Sequence, residues 1–228
     1  MSKKNIFLLG GIIILFFVGG LVVYSNVRQK QELAQQKLGG DPFADLVIPE
    51  ALSRDPATNA VIENNIKITK DLYNSKPDIW ETWIAIGGLR RQLYDFDGAI
   101  AAYQKALEIY PTNAIAHRNI ASIYENDLHD YEQALNYYRL GLRNTPGDSE
   151  VYLAMATIER VQFKNVLGAE KTLQDGLGAT NNNADVWYAL AQLYKESGNI
   201  VKYRQTAKEL MKAYPDIAAY KQVFADVK

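Results

Sequence analysis

The sequence has no cysteine, only two histidines and almost no net charge. Without cysteine the chain can form no disulfide, no thiolate zinc site and no thiol nucleophile. Its 25 lysines and arginines are balanced by 26 aspartates and glutamates, which leaves a net charge of −1. Nucleic-acid binding requires a clustered basic face, so the charge balance predicts no nucleic-acid partner.

The chain also lacks the short motifs that mark common catalytic and phosphate-binding sites. It has no G-x-x-x-x-G-K loop and no serine in a G-x-S-x-G context. His117 falls at an aromatic packing position and His129 falls in a turn beside Asp130. The alternatives, a catalytic base and a metal ligand, would need several convergent partners. We therefore predict that the protein is not an enzyme and has no cofactor, catalytic residue or metal site.

One long apolar run stands near the amino terminus, Ile6 to Tyr24, with 19 residues and no charge. A helix of this length can just cross a hydrocarbon core of about 30 Å. The run ends without a small-residue cleavage pattern, so we predict an uncleaved signal anchor over residues 1–24. A cleaved signal peptide and a buried core helix are the alternatives. The short basic amino end resembles that of a type II anchor. This predicts a single-pass membrane protein with an extracytoplasmic domain, periplasmic or at the cell surface.

Residues 25–56 read as a juxtamembrane helix followed by a linker. The first part is polar and rich in helix formers. Gly39, Gly40 and Pro42 then end the helix, because glycine and proline together break the pattern. The linker is predicted to lie against the domain that follows.

From residue 57 onward the sequence repeats itself every 34 or 35 residues. Ala99, Tyr103, Ala106 and Pro111 return at Ala134, Tyr138, Gly141 and Pro146. A repeat of this length, with apolar residues at helical spacing, predicts stacked helix pairs.

In this pattern the chain resembles the tetratricopeptide-repeat (TPR) family. The matching first-helix and second-helix residues are Trp83, Ile86, Gly87, Ala99, Tyr103, Ala106 and Pro111 in unit one; His117, Ile120, Ala121, Tyr124, Ala134, Tyr138, Gly141 and Pro146 in unit two; Tyr152, Met155, Ala156, Ala169, Leu173 and Gly176 in unit three; and Trp187, Leu190, Ala191, Tyr194, Tyr203, Ala207, Leu210 and Pro215 in unit four. The resemblance implies an all-α protein, a right-handed α-solenoid of stacked helix–turn–helix repeats, here preceded by one transmembrane helix. It divides residues 57–228 into a capping half-repeat (57–77), four repeats (80–113, 114–148, 149–183 and 184–217) and a carboxy-terminal capping helix (218–228).

The resemblance further implies that the first helices line a concave groove that binds a protein or peptide. The predicted groove residues are Glu81, Ile84, Gly88, Arg91, Ile115, Arg118, Ser122, Glu125, Leu153, Thr157, Arg160, Asp185, Tyr188, Gln192 and Lys195. The set is mixed in charge, and it lacks the ring of lysine and asparagine with which some family members hold a terminal carboxylate.

The function predicted from the sequence is a membrane-anchored TPR scaffold or adaptor that holds a partner in its groove. The resemblance suggests a role in envelope assembly, secretion or chaperoning. The alternative is a structural membrane protein that assembles into a homo-oligomer.

Overall fold

Every regular element of the described residues is helical. The structure is a computed structural model that describes residues 38–227 together with Gln29, Leu33 and Gln36. In this part of the chain there are eleven α-helices and one π-helical turn, and no strand. The helices fall into two units, residues 1–111 and 112–228. The prediction of an all-α fold built from helix pairs is therefore confirmed.

Unit 1 contains the helices α1 (Glu50–Ser53), α2 (Pro56–Ser75), α3 (Trp80–Gln92) and α4 (Phe96–Ile109). Asp55 caps α2 by accepting a hydrogen bond from the Thr58 backbone N–H, and proline occupies the first helical position. The pair α3 and α4 packs closely at Gly87, where a Cβ atom would lie only 2.5 Å from the Tyr103 ring. Glycine is therefore required for this approach.

A buried arginine fixes the residues that precede α1. Arg90 is only 2% exposed. Its Nη2 donates to the Pro42 carbonyl oxygen at 2.7 Å and lies 2.6 Å from Asp45 Oδ1, while its Nη1 pairs with Asp95. Phe43 is also buried and packs edge-on against Tyr73. Residues 42–45 are thus held on unit 1 by contacts with α2 and α3.

Unit 2 contains three helix pairs and a short final helix. These are α5 (Ala114–Asn126) with α6 (Tyr131–Leu142), α7 (Ser149–Thr157) with α8 (Val166–Ala179), α9 (Ala184–Glu196) with α10 (Ile200–Ala213), and α11 (Ala218–Val223). A π-helical turn, Ile158–Gln162, continues α7. The core at the carboxy-terminal end of this unit includes Val186, Leu190, Leu193, Leu210 and Phe224.

The turn inside each helix pair has one residue in the same backbone conformation. Tyr94, His129, Lys164 and Gly198, spaced 34 or 35 residues apart, all have positive φ angles between 55° and 76°. In the two longer repeats the extra residue widens the turn. There the Asp130 N–H donates to the Tyr124 carbonyl and the Asn165 N–H to the Glu159 carbonyl, six residues back. The equivalent N–H groups of the shorter repeats, at Asp95 and Asn199, donate five residues back, to Arg90 and Tyr194. In the third repeat the Phe163 N–H also donates to the Ile158 carbonyl, a five-residue bond that belongs to the π-helical turn.

The structure corrects the predicted single-pass membrane localisation. Among residues 38–227 and the three described residues before them, no helix is both long and apolar enough to cross a membrane. The 20-residue helix α2 has sufficient length for a span, but it carries charges at Glu63, Lys67, Lys70 and Asp71. The predicted anchor, Ile6 to Tyr24, lies outside the described residues.

Candidate partner-binding site

The first helices of unit 2 begin in the same way, so the same positions of α5, α7 and α9 are equivalent. Asn113, Asp148 and Asn183 each accept a hydrogen bond from the backbone N–H three residues on, at 2.8, 3.3 and 3.3 Å. Such N-caps fix where a helix starts and hence its rotational register. We call the outward-facing residues of these three helices the first-helix face.

A cavity of about 170 Å³ opens between α7 and α9 on this face, and we call it the α7–α9 cavity. Five predicted groove residues line it: Leu153, Thr157, Arg160, Tyr188 and Gln192. Ala156, Ala169, Leu173, Ala189 and Leu193 complete the apolar part of the wall. The structure thus brings these five predicted residues to one concave site with a mostly apolar lining.

An ion pair bounds one edge of the α7–α9 cavity. Arg160 on the π-helical turn pairs with Glu196 at the end of α9, and both residues line the cavity. Both side chains are partly exposed, at 39% and 53%. Exposed pairs of this kind contribute only about 0–1 kcal/mol, so a ligand can replace this pairing at little cost.

The predicted residues on α5 lie outside this cavity. Arg118 bridges to α7, with its Nη1 3.3 Å from both Asp148 Oδ2 and Glu150 Oε2. Glu125 accepts a hydrogen bond from the Tyr138 hydroxyl at 2.6 Å. Ile115 is 45% exposed, and Ser122 is partly buried. These side chains form a separate part of the first-helix face.

The carboxy-terminal helix covers part of the predicted surface on α9. Tyr188 packs against Tyr220 and Phe224, with ring centroids 6.5 and 6.0 Å apart. Phe224 itself is only 1% exposed. Tyr188 still reaches the α7–α9 cavity, so its ring lies between that cavity and α11.

The same helix end also binds Lys195. Lys195 Nζ lies 3.3 Å from Asp226 Oδ2 and donates to the Tyr203 hydroxyl at 3.2 Å. The hydrogen bonds to Tyr203 and Asp226 raise the pKa of Lys195, and the Tyr203 hydroxyl lowers the pKa of Asp226. Lys195 is therefore engaged within the chain, whereas Asp185 at the start of α9 is exposed.

The four predicted residues of unit 1 all lie on α3. Glu81 and Gly88 are exposed, whereas Ile84 and Arg91 are partly buried. Burial raises the pKa of the neighbouring Tyr103 to about 12, against the opposing effect of the Arg91 charge. These four residues belong to unit 1 and are not part of the first-helix face of unit 2.

Several lining residues of the α7–α9 cavity were not predicted from the sequence. Ala189 and Leu193 follow predicted residues directly, at Tyr188 and Gln192, and Glu196 lies one helical turn beyond Gln192. Helical spacing alone could have added Glu196. Ala169 and Leu173 come from the second helix α8 and become visible only when the helices are packed. Within residues 38–227 no group of three acidic or histidine side chains is placed to hold a metal ion.

Comparisons with known proteins identify the repeats. Residues 87–127 match a family model described as TPR repeat, and residues 116–150 and 185–216 match models described as tetratricopeptide repeat. The general transcriptional corepressor ssn6 of Schizosaccharomyces pombe is 25% identical over 146 residues. That alignment covers 63% of this chain but only 13% of the corepressor.

Solved structures have the same fold. A structure of MamA has a TM-score of 0.53 and 15% identity, covering 69% of this chain and 92% of its own. A structure of YrrB, described as a TPR protein with an unusual peptide-binding site, has a TM-score of 0.50 and 16% identity over 67% and 77% of the two chains. The chain therefore contains tetratricopeptide repeats in a solenoid-like fold. This fold typically serves as a non-catalytic scaffold for protein interactions.

Proposed function

We propose that the protein is a TPR scaffold that binds a segment of a partner protein on the first-helix face of unit 2. The observation that carries this proposal is the α7–α9 cavity, a concave apolar site lined by five residues at predicted groove positions. Protein-binding grooves of this kind take an apolar anchor from the partner and surround it with polar contacts. The peptide-binding description of the structural neighbour YrrB supports the same class of function.

The lining of the cavity suggests what the anchor is. Leu153, Leu173 and Leu193 provide an aliphatic wall. Thr157 and Gln192 stand among them as hydrogen-bonding groups, and can bind the backbone of an extended segment. An aliphatic side chain of the partner would fill the cavity of about 170 Å³, while its neighbouring peptide groups meet the polar rim.

The test uses the full chain and a displayed library of random peptides. Selected peptides are labelled, and their affinities are measured by fluorescence anisotropy for the wild type, Leu153→Glu and Thr157→Arg. The matched control is Leu167→Glu, because Leu167 is 78% exposed on α8 and does not line the cavity. Thermal melting shows whether each variant is folded.

We expect both cavity variants to weaken peptide binding at least about tenfold, the effect of losing one buried apolar anchor contact. The control should bind as the wild type does. Equal binding by all four proteins would refute the site. The alternative is self-association. It predicts that light scattering gives a mass above that of one chain, and that this mass is lower in the Leu153→Glu variant.

A further inference from the structure

A second cavity of unit 2 arises where the third repeat departs from the second. In the second repeat Tyr124 and Tyr137 stack, with ring centroids 5.7 Å apart and planes 19° apart. The equivalent positions in the third repeat, 35 residues on, hold Glu159 and Thr172. Their side chains share a hydrogen bond of 2.8 Å between Thr172 Oγ1 and Glu159 Oε2. A carboxylate and a hydroxyl take the place of two aromatic rings.

Glu159 and Thr172 line a cavity of about 440 Å³ between α6 and α8, which we call the α6–α8 cavity. This volume lies within the range of known ligand sites, about 300–1,000 Å³. Tyr152, Met155 and Leu142 give it an apolar wall. Glu159 belongs to the π-helical turn, and π-helical insertions occur frequently at functional sites.

The charges around the α6–α8 cavity are unequal. Arg139, Arg143 and Lys171 line it against two carboxylates, Glu159 and Asp175. Glu159 is already bound by Thr172 and lies 3.8 Å from Arg139, and Asp175 lies 3.5 Å from Lys171. Arg143, in contrast, makes no ion pair among the described residues. An arginine fork is well suited to a carboxylate, which it can bind through two parallel hydrogen bonds.

We propose that the α6–α8 cavity binds an acidic segment of a partner protein that carries an aromatic residue. The aromatic ring enters the space that Tyr124 and Tyr137 fill in the preceding repeat, and a flanking carboxylate pairs with Arg143. Shape supports the first contact and charge complementarity supports the second. The site is separate from the α7–α9 cavity, so this proposal stands or falls independently of the proposed function.

Three labelled peptides test both contacts by fluorescence anisotropy on the full chain. The probe contains the sequence Glu-Phe-Glu, the second peptide replaces both glutamates by glutamine, and the third replaces phenylalanine by alanine. We expect only the first peptide to bind with saturation, and both analogues to bind about tenfold more weakly or not at all. No saturable binding of the Glu-Phe-Glu peptide, or equal binding of all three, would overturn the proposal.

Variants of the protein locate the binding. Arg143→Gln should weaken binding of the Glu-Phe-Glu peptide about tenfold, because one charge-assisted hydrogen-bonded pair is lost. The matched control is Arg204→Gln, an exposed arginine on α10 that does not line the cavity. A Glu159→Tyr/Thr172→Tyr double variant should restore the stacked pair and abolish binding. If Arg143→Gln binds the Glu-Phe-Glu peptide as tightly as Arg204→Gln does, the peptide does not bind at the α6–α8 cavity. This conclusion holds whether or not the double variant folds.

Discussion

Replacing Gly176 by alanine should leave the protein less stable than replacing Gly178 by alanine, although alanine is the better helix former at both positions. Both Gly176 and Gly178 lie in α8. A Cβ atom on Gly176 would lie 2.8 Å from Tyr152 Cγ and 3.0 Å from Tyr152 Cβ, whereas a Cβ atom on Gly178 would meet nothing within 4 Å. A change of the Tyr152 rotamer can move Cγ but not Cβ, because Cβ is bonded directly to the Tyr152 backbone.

The expected magnitudes follow from two opposing effects. Glycine to alanine inside a helix gains about 1 kcal/mol at either position. Overpacking at Gly176 costs about 1–3 kcal/mol, since α7 and α8 must move apart or Tyr152 must leave its rotamer. Gly178→Ala should therefore be stabilised by about 1 kcal/mol, and Gly176→Ala should be less stable than Gly178→Ala by about 1–3 kcal/mol.

Urea unfolding and thermal melting measure this difference directly. For a chain of this size each kcal/mol shifts the melting temperature by roughly 2–4 °C, so the two variants should be clearly separated. Because both substitutions lie in one helix, the effect of helix propensity cancels between them. A Gly176→Ala protein as stable as Gly178→Ala would show that close helix approach does not explain the glycine.

Three further predictions concern other contacts. Burial raises the pKa of Tyr103 to about 12, so its neutral form stabilises the fold fully below pH 10, and this contribution is lost as the pH rises towards 12. Urea unfolding between pH 9 and 12 should therefore show a decrease in the free energy of unfolding that is smaller by about 2–3 kcal/mol in Tyr103→Phe than in the wild type. Arg90→Met should cost about 1.5–3 kcal/mol and make residues 41–49 sensitive to limited proteolysis, because Asp45 and the Pro42 carbonyl lose their bonds to Arg90; unchanged cleavage would contradict the anchoring role. The pKa of Asp226 is lowered by the Tyr203 hydroxyl and then by Lys195, so the contacts of Asp226 should weaken as the pH falls below 3.8. Hydrogen exchange of α11 should therefore become faster at that pH, and also at neutral pH in Asp226→Asn; unchanged exchange in both would contradict this role of Asp226.

Local sequence rules predict where several of the helices start. The preference of Asp and Asn for the N-cap predicts caps at Asn113, at Asp148 and at Asn182 or Asn183, and Asn113, Asp148 and Asn183 make the hydrogen bonds of caps. The same preference predicts a cap at Asp78, three residues before Glu81, and this prediction is wrong, because α3 has Ile79 at its N-cap position and no side-chain cap. Instead, Thr82 Oγ1 donates to the Lys76 carbonyl and Trp83 Nε1 to the Pro77 carbonyl. These bonds join residues six apart, a spacing outside the capping rules.

Contacts between distant residues could not be predicted from the repeat pattern. Arg90 binds residues 45 and 48 positions away, and no periodicity links them. Tyr203 takes the place of the small residue that is usual in the family, and the repeat pattern alone does not predict how its helix packs. Tyr203 is only 2% exposed, because Phe224 packs on its ring and Asp226 accepts from its hydroxyl. The compensating residues come from α11, outside the repeat that contains Tyr203.

Both cavities border the third repeat, and the same departures from the repeat pattern explain this. On α8, Leu173 lines the α7–α9 cavity while its neighbour Thr172 lines the α6–α8 cavity. The three ranges that match TPR family models leave out residues 151–184, which contain most of α7, the π-helical turn and α8. Replacing the Tyr124–Tyr137 stack by a hydrogen-bonded Glu–Thr pair gives up packing that the second repeat retains. Proteins tend to break local rules at functional sites and recover the stability elsewhere. The repeat that fits the family pattern least well is therefore the one in which binding should be sought first.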